Sequence, residues 1–378
     1  MATRLAARQS ELGHAAEVIS SISGTLSATP LARPRHTVAA GLDHYVVKNS
    51  NFSAPVSLYR NRLADLNPSD FANADVIHLH WPHGLVDLAA LARLAGERTV
   101  VWTLHDMAAL TGGCHYSLGC ERFTSGCANC PAVRGPWKKA ISRGQERTKA
   151  ALAAISNLRL ASPSQWLASQ ATRSKSLEGY DVDVIPNPLP LELEEPTEQR
   201  VAKAQLGIPQ GHTVFMVSAR NLRDPVKAAD VALEAFGRAS SAGEVEATLL
   251  LVGQHPPTQT VPQVQALGYL RGAEMTAALA ASDYLVVPSE AENQPLAISQ
   301  AQAMGVSLIA RDATGLPEHT VYDEDAKLFR QPAELRELFS TLPVKRRSPE
   351  SREKLMAVSR ERFSATTAAN RYLELYSR

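Results

Sequence analysis

The 378-residue sequence is poor in aromatic side chains (6%) and in cysteine, of which it has four. It also lacks an excess of either charge, with 39 Lys and Arg against 38 Asp and Glu. Dedicated nucleic-acid binders neutralise phosphates with a strongly basic footprint, so no nucleic-acid partner is expected. No apolar run approaches the roughly 20 residues that cross a bilayer. The N-terminus has no basic stretch followed by an apolar core, so no signal peptide is read. A cytoplasmic protein is therefore the expectation. Solenoid-length repeats and low-complexity segments are missing as well.

The near-zero charge hides an asymmetry. Residues 1–187 carry 19 Lys and Arg against 14 Asp and Glu, and the remainder carries 20 against 24. A basic half suits an approach to an anionic surface at the inner face of a membrane, although chance scatter of surface charge gives the same count. The length is too great for one ordinary core and fits two α/β domains.

Residues 2–12 place Leu5, Ala6, Gln9 and Leu12 on one helical stripe, with Gly13 as C-terminal cap, and a strand is expected around Val18 and Ile19. Short β-branched runs then alternate with helical stretches: Asp75–Trp81, Thr99–His105, Leu158–Ser164 and Asp181–Asn187. After a Pro- and Glu-rich stretch read as a linker, Pro186–Pro209, a second series follows at Thr213–Ala219, Ala247–Gly253, Tyr284–Ser289 and Val306–Asp312. Near-continuous hydrophobicity suits parallel strands covered on both faces. The fold expected is α/β, two doubly wound Rossmann-like sheets facing a cleft, with ligands at the carboxyl ends of strands. The domain limits expected are 1–187, 188–358 and a C-terminal helix, 359–378, packing back across the domains.

The most specific motif is Pro288-Ser289-Glu290-Ala291-Glu292-Asn293-Gln294-Pro295-Leu296, a strand end entering a helix. A helix N-terminus offers unpaired amides and partial positive charge to a diphosphate. Glu292 at its mouth could accept hydrogen bonds from a sugar; alternatively Glu292 and Asn293 only cap the helix. Upstream, Arg220, Asn221, Arg223 and Lys227 follow the first strand of the second half, where cations would meet charge developing on a departing diphosphate. In the first half, a strand ends in His105-Asp106 and leads to Thr111-Gly112-Gly113. His105 is a candidate acid–base or hydrogen-bonding group; alternatively it caps a turn through Asp106.

All four cysteines, Cys114, Cys120, Cys127 and Cys130, fall within one short segment beside His105. In a cytoplasmic protein such a cluster reads as structural zinc ahead of disulfides, with reduced thiols the other alternative. Four thiolates would leave no open position for metal catalysis. Pro136–Ile155 reads as a basic helix, with Lys138, Lys139, Arg143 and Arg147, that either docks on a membrane surface or is simply solvated.

These segments resemble glycosyltransferase family four (group 1), bacterial GT-B enzymes of polysaccharide biosynthesis. The 288–305 segment is similar to that family's Glu-x7-Glu region, in which the first Glu contacts the donor sugar and the second the ribose. Glu292 matches the first, and Gln300 replaces the second. Lys227 matches the family's diphosphate-binding lysine, while the preceding arginine falls on Asn221, leaving Arg220 or Arg223 to substitute. The segments Asp75–Trp81, Trp102–Gly113 and Pro163–Leu167 resemble family strand ends, so the likeness runs from near residue 1 to about 318. The resemblance implies a retaining transferase that needs no cofactor for catalysis. Its donor would be a nucleotide-diphospho-sugar and its acceptor a glycan or a lipid-linked sugar. It gives His105, Glu292 and Lys227 catalytic roles, donor contacts at Arg220, Asn221, Asn293, Gln294, Pro295, Leu296 and Gln300, and an acceptor side at Asp106, Gly112 and Gly113. Family members open with a strand before the helix that begins here at Ala2, so a missing first strand is also expected. The rival readings are a weak GT-B subunit that only binds a glycan or partner, and a GT-B sugar-nucleotide epimerase.

Overall fold

The computed structural model describes residues 1–19, 38, 41–46, 48, 50–51, 55–58, 71, 73–83, 86–190, 198–242, 245–257, 261–344 and 347–378. It divides into two units, Met1–Pro188 with Ala368–Arg378, and Leu189–Thr367.

In the first unit four parallel strands lie in chain order: β1 (Val76–His80), β2 (Thr99–Thr103), β3 (Leu158–Ser162) and β4 (Val182–Val184). Side chains alternate between the faces of a strand. Ile77, Leu79, Val100, Trp102 and Leu160 enter one core, with Leu91 of α2 (Leu88–Ala95) and Ile141 and Leu152 of α3 (Trp137–Ala153). Val101 and Ala161 enter another, with Leu5 of α1 (Ala2–Glu11). Both faces are thus covered, which is why β2 reads as a nearly unbroken apolar run. Local signals set the helix ends. Asp87 caps α2 by accepting from the Ala90 amide at 2.9 Å, and Ser164 caps α4 (Gln165–Arg173) by accepting from Leu167 at 3.1 Å.

The second unit is built on six parallel strands in the order β10-β9-β8-β5-β6-β7. These are β5 (Thr213–Asn221), β6 (Ala247–Gln254), β7 (Val264–Gly268), β8 (Tyr284–Val287), β9 (Ser307–Arg311) and β10 (Lys327–Phe329), with α5 (Gln199–Gln205) ahead of them. Helices α6 (Ala229–Ala242), α7 (Gly272–Ala281), α8 (Leu296–Ala303) and α9 (Pro332–Thr341) alternate with them. The chain winds one way from β5 to β7 and the other way from β8 to β10. The order reverses between β5 and β8, and the carboxyl ends of those strands border the crevice where such sheets take ligands. One face is sealed by Phe215, Phe236 and Phe339, whose rings meet edge to face at 4.8–6.4 Å.

Several expectations are corrected. Val18 and Ile19 form no strand; the chain from His14 to Ile19 has no regular structure. The stretch read as a linker contains α5, whose Ala202 is buried in the second unit. Strands β7 and β10 went unread because one is half-exposed and the other three residues long, and both lie at sheet edges. The C-terminal segment is two helices, α10 (Pro349–Arg362) and α11 (Ala365–Ser377). The first unit takes in the chain only from Ala368, not from 359. Residue 363 stays with the second unit because its carbonyl accepts from Leu189 at 2.9 Å and its ring packs with Leu189 and Ala303. Beyond the break, Ala368, Ala369, Tyr372 and Leu375 of α11 are buried against the first sheet.

Candidate functional site

In the second unit the loops leaving β5 and β8 meet at the point of order reversal. The Lys227 ammonium donates to the Glu292 carboxylate at 2.5 Å, and Ser289 donates to the same Oε1 at 3.0 Å. The two loops are also joined through the backbone, Glu290 N–H to Val226 O at 2.9 Å. The Glu292 side chain is 7% exposed and Lys227 31%. Removing either partner would leave the other charge uncompensated in a partly dry place.

The loop after β9 fixes Glu292 from behind. Thr314 Oγ1 accepts from the Glu292 amide at 2.9 Å, and the Gly315 amide donates to the Glu292 carbonyl at 3.0 Å. A Cβ on Gly315 would come within 2.4 Å of the Asn293 carbonyl, so only glycine allows this approach. Thr314 and Gly315 were not read from the sequence; a Thr-Gly pair just past a strand was the available signal.

The Glu292 side chain is engaged by Lys227 and Ser289. The N-cap of α8 is Pro295, which supplies no side-chain bond to the first turn, where the helix amides begin. Asn293 and Gln294 are buried beside Glu292, while Gln300 is half-buried on α8. Arg220, Asn221 and Arg223 are exposed at the end of β5 and just beyond. The Asn221 side chain accepts from the Arg223 amide at 3.0 Å, so it shapes a turn where the family pattern has arginine.

In the first unit His105 follows β2, and its Nε2 lies 3.0 Å from Nδ1 of His80 at the end of β1. His78, two residues earlier on the same face, bonds to Tyr376 at 2.7 Å and to Thr103 at 2.8 Å. Burial drives the pKa of His78 down to about 3 and that of His105 to about 4, and it holds His80 well below the usual histidine range. All three are neutral at pH 7, so one nitrogen of the His80–His105 pair donates and the other accepts. The period-two spacing of His78 and His80 in the DVIHLHW run could have revealed them.

Asp106 is buried and fully engaged. Its carboxylate accepts from the Ala108 amide at 2.8 Å, pairs with His115 at 2.8 Å, and is held below the usual carboxylate range by His115 and His83 despite its burial. Gly112 and Gly113 are packing residues. A Cβ on Gly112 would stand 2.1 Å from the Ile141 carbonyl of α3, and Gly113 adopts φ +128° with Ser57 pressed against it. Both line a cavity of about 480 Å³ among the described residues.

The four cysteines are free thiols, three of them buried. Burial pushes the Cys127 thiol up to about 11 and Cys114 well above its ordinary value. Zinc ligation needs thiolates whose sulfurs gather around one ion. Among the described residues, His83, Asp106 and His115 form the one group of three or more His, Cys, Asp or Glu whose ligand atoms lie within 4.8 Å of one another. The Cys127, Cys130 and Cys120 thiols push Cys114 up further, so the four stand near one another, and Cys127 and Cys130 pack in the apolar core.

Among the described residues no helix is long and apolar enough to cross a membrane. Lys138, Lys139, Arg143 and Arg147 are exposed along α3.

The chain is 30% identical over 108 residues to the "Putative colanic acid biosynthesis glycosyl transferase WcaC" of Escherichia coli, 26% of this chain and 25% of that protein. It is 25% identical over 256 residues to the D-inositol 3-phosphate glycosyltransferase of Segniliparus rotundus, 64% of this chain and 53% of that one. The chain thus spans about a quarter and about half of these relatives' lengths. In fold it is similar to HepE of Anabaena, solved in complex with UDP, with a TM-score of 0.61 at 17% identity over 82% of this chain and 80% of that one. The likeness places the chain in the GT-B fold class. Residues 212–342 match "Glycosyl transferases group 1", and residues 1–193, just over half the chain, match "Glycosyltransferase Family 4". The chain belongs to glycosyltransferase family 4.

Proposed function

We propose that the chain moves a sugar from a nucleotide-diphospho-sugar to a glycan or lipid-linked acceptor, with retention of configuration, in surface polysaccharide biosynthesis. The observation that carries this reading is the Lys227–Glu292 pair at the order reversal of the second sheet, beside the N-terminus of α8. An ammonium and a row of amides suit a diphosphate, and a held carboxylate suits sugar hydroxyls. Lys227 and the amides after Pro295 hold the diphosphate, Glu292 orients the donor sugar, Gln300 meets the ribose, and His105 supports the reacting sugar. Retention follows from displacement on the leaving-group face. The bond from the anomeric carbon to the phosphate oxygen breaks as the acceptor oxygen bonds to that carbon. The acceptor proton passes to the departing phosphate oxygen, so the step needs neither a carboxylate pair nor a metal. Positioning and electrostatics then supply the rate. Complexes of HepE with UDP-glucose, and the colanic acid role in the name of WcaC, support the donor class and the pathway class. The exposed basic side chains of α3 support work against an anionic membrane face.

A second reading, a weak subunit that binds without turnover, is favoured by Asn221, whose side chain is committed to a turn where the family pattern has a cation. Thermal unfolding with UDP-, GDP-, ADP- and dTDP-sugars tests the donor site. A donor at about 100 times its Kd adds about 2.7 kcal/mol of apparent stability. If none of them shifts the unfolding temperature, the proposed donor site fails.

A further inference from the structure

The cluster around Asp106 is used by nothing in the proposed transfer, and it is built like a metal site. His83, Asp106 and His115 come from three separate turns of the first unit, yet their ligand atoms lie within 4.8 Å of one another. The His115 Nδ1 to Asp106 Oδ2 distance is 2.8 Å and the His83 Nε2 to Asp106 Oδ1 distance is 3.9 Å. A four-coordinate ion with bonds of about 2.0–2.1 Å holds its ligand atoms roughly 3–3.5 Å apart, so only slight adjustment is needed. All three side chains are at most 5% exposed.

The atoms that orient His115 and Asp106 are already held. His115 presents Nδ1 inward because its Nε2 bonds to Ser57 Oγ at 2.7 Å, the outer partner that fixes the tautomer of a metal-binding histidine. The Ala108 amide fixes Asp106 Oδ1 at 2.8 Å. A cavity of about one water's size adjoins His83 and Asp106 and is closed by Trp81, Trp102 and His105, leaving room for a fourth, solvent ligand. Trp81 covers the group, its ring 4.9 Å from that of His115 and 5.6 Å from that of His83. It does so at φ +49°, a conformation a bulky side chain adopts only when its surroundings impose it.

We propose that His83, Asp106 and His115 bind one divalent transition-metal ion of the zinc class, with water as fourth ligand. Two imidazoles and one carboxylate form a donor set suited to such an ion and ill suited to magnesium or calcium. On binding, the ion takes the place of the proton shared between His115 Nδ1 and Asp106, and that proton leaves to solvent. The bound ion ties the turn after β1 to the loop after β2, and so fixes the strand ends that carry His80 and His105. This inference stands apart from the transfer reading, and failure of either leaves the other intact.

The test uses the full chain, freed of metal by chelator and titrated with Zn²⁺ and Co²⁺. One equivalent should bind. The Co²⁺ form should show visible ligand-field bands without the near-ultraviolet thiolate-to-cobalt absorption. Cys127→Ser with Cys130→Ser should leave the spectrum unchanged, while Ser57→Ala should weaken Co²⁺ binding roughly 10–100-fold. His83→Gln should abolish stoichiometric binding, with circular dichroism confirming that the variant is folded. Lack of a stoichiometric ion in the folded wild-type chain would overturn the proposal. So would thiolate absorption, or loss of binding in the cysteine variant with His83→Gln unaffected.

Discussion

The two units treat their polar groups in opposite ways. In the first, His78, His80 and His105 stand at or near strand ends, and burial strips them of charge. In the second, Lys227 and Glu292 stand at strand ends and remain a charged pair, with the lysine about one-third exposed. The described strands of the first sheet follow one another in chain order, and their carboxyl ends are closed over by rings and loops. In the second sheet the order reverses between β5 and β8, and the loops that meet there leave Lys227 partly open to a ligand.

The contrast is broken most sharply by removing the second unit's ion pair. Lys227→Ala and Glu292→Ala should each lower transfer by about 100-fold or more, the scale for one electrostatic stabiliser. Steady-state rates near wild type in both variants would show that the pair is not the donor site. In the first unit the corresponding damage falls on folding. Gly112→Ala forces a methyl against the Ile141 carbonyl and should cost about 1–3 kcal/mol in urea unfolding. An unchanged midpoint would mean that α3 shifts freely.

Acid titration sharpens the same comparison. An unfolded histidine titrates near 6.5, whereas His78 and His105 titrate at about 3 and 4 when folded. Between those values the unfolded chain binds more protons. Their contribution to stability is therefore complete above about pH 6.5 and is lost as pH falls toward 4. The slope is about 1.4 kcal/mol per pH unit for each group. His78→Gln should remove one such increment from the difference in unfolding free energy between pH 7 and pH 5. Equal differences in variant and wild type would place the His78 proton elsewhere. The smallest effect expected is from Gln300→Glu. A charge-assisted bond to a ribose diol is roughly twice as strong as a neutral one, so KM for the donor should fall by less than about tenfold; a rise would mean that Gln300 does not meet the ribose.

Much of this was legible in the sequence where the physics is local. Eight strands could be read as short runs rich in β-branched and apolar residues, most of them largely buried, and Lys227 and Glu292 because each follows such a run. What escaped depends on contacts distant in the chain. Edge strands β7 and β10 lack a two-sided apolar signal. The role of Gly112 depends on α3 passing close by, that of Gly113 on the Ser57 backbone, and the turn-forming role of Asn221 on a backbone bend. The convergence of His83, Asp106 and His115 escapes for the same reason, because spacing alone does not bring them together.

The central claim, that this chain transfers a sugar with retention, is tested most directly by nuclear magnetic resonance of the reaction itself. A donor that stabilises the protein is incubated with it and glycan or lipid-linked acceptors, and the anomeric signal of the product is followed from the first turnovers. The account predicts release of the nucleoside diphosphate and a product with the donor's own anomeric configuration. An inverted product, an epimerised free donor, or a bound donor that is never consumed with any acceptor would contradict it.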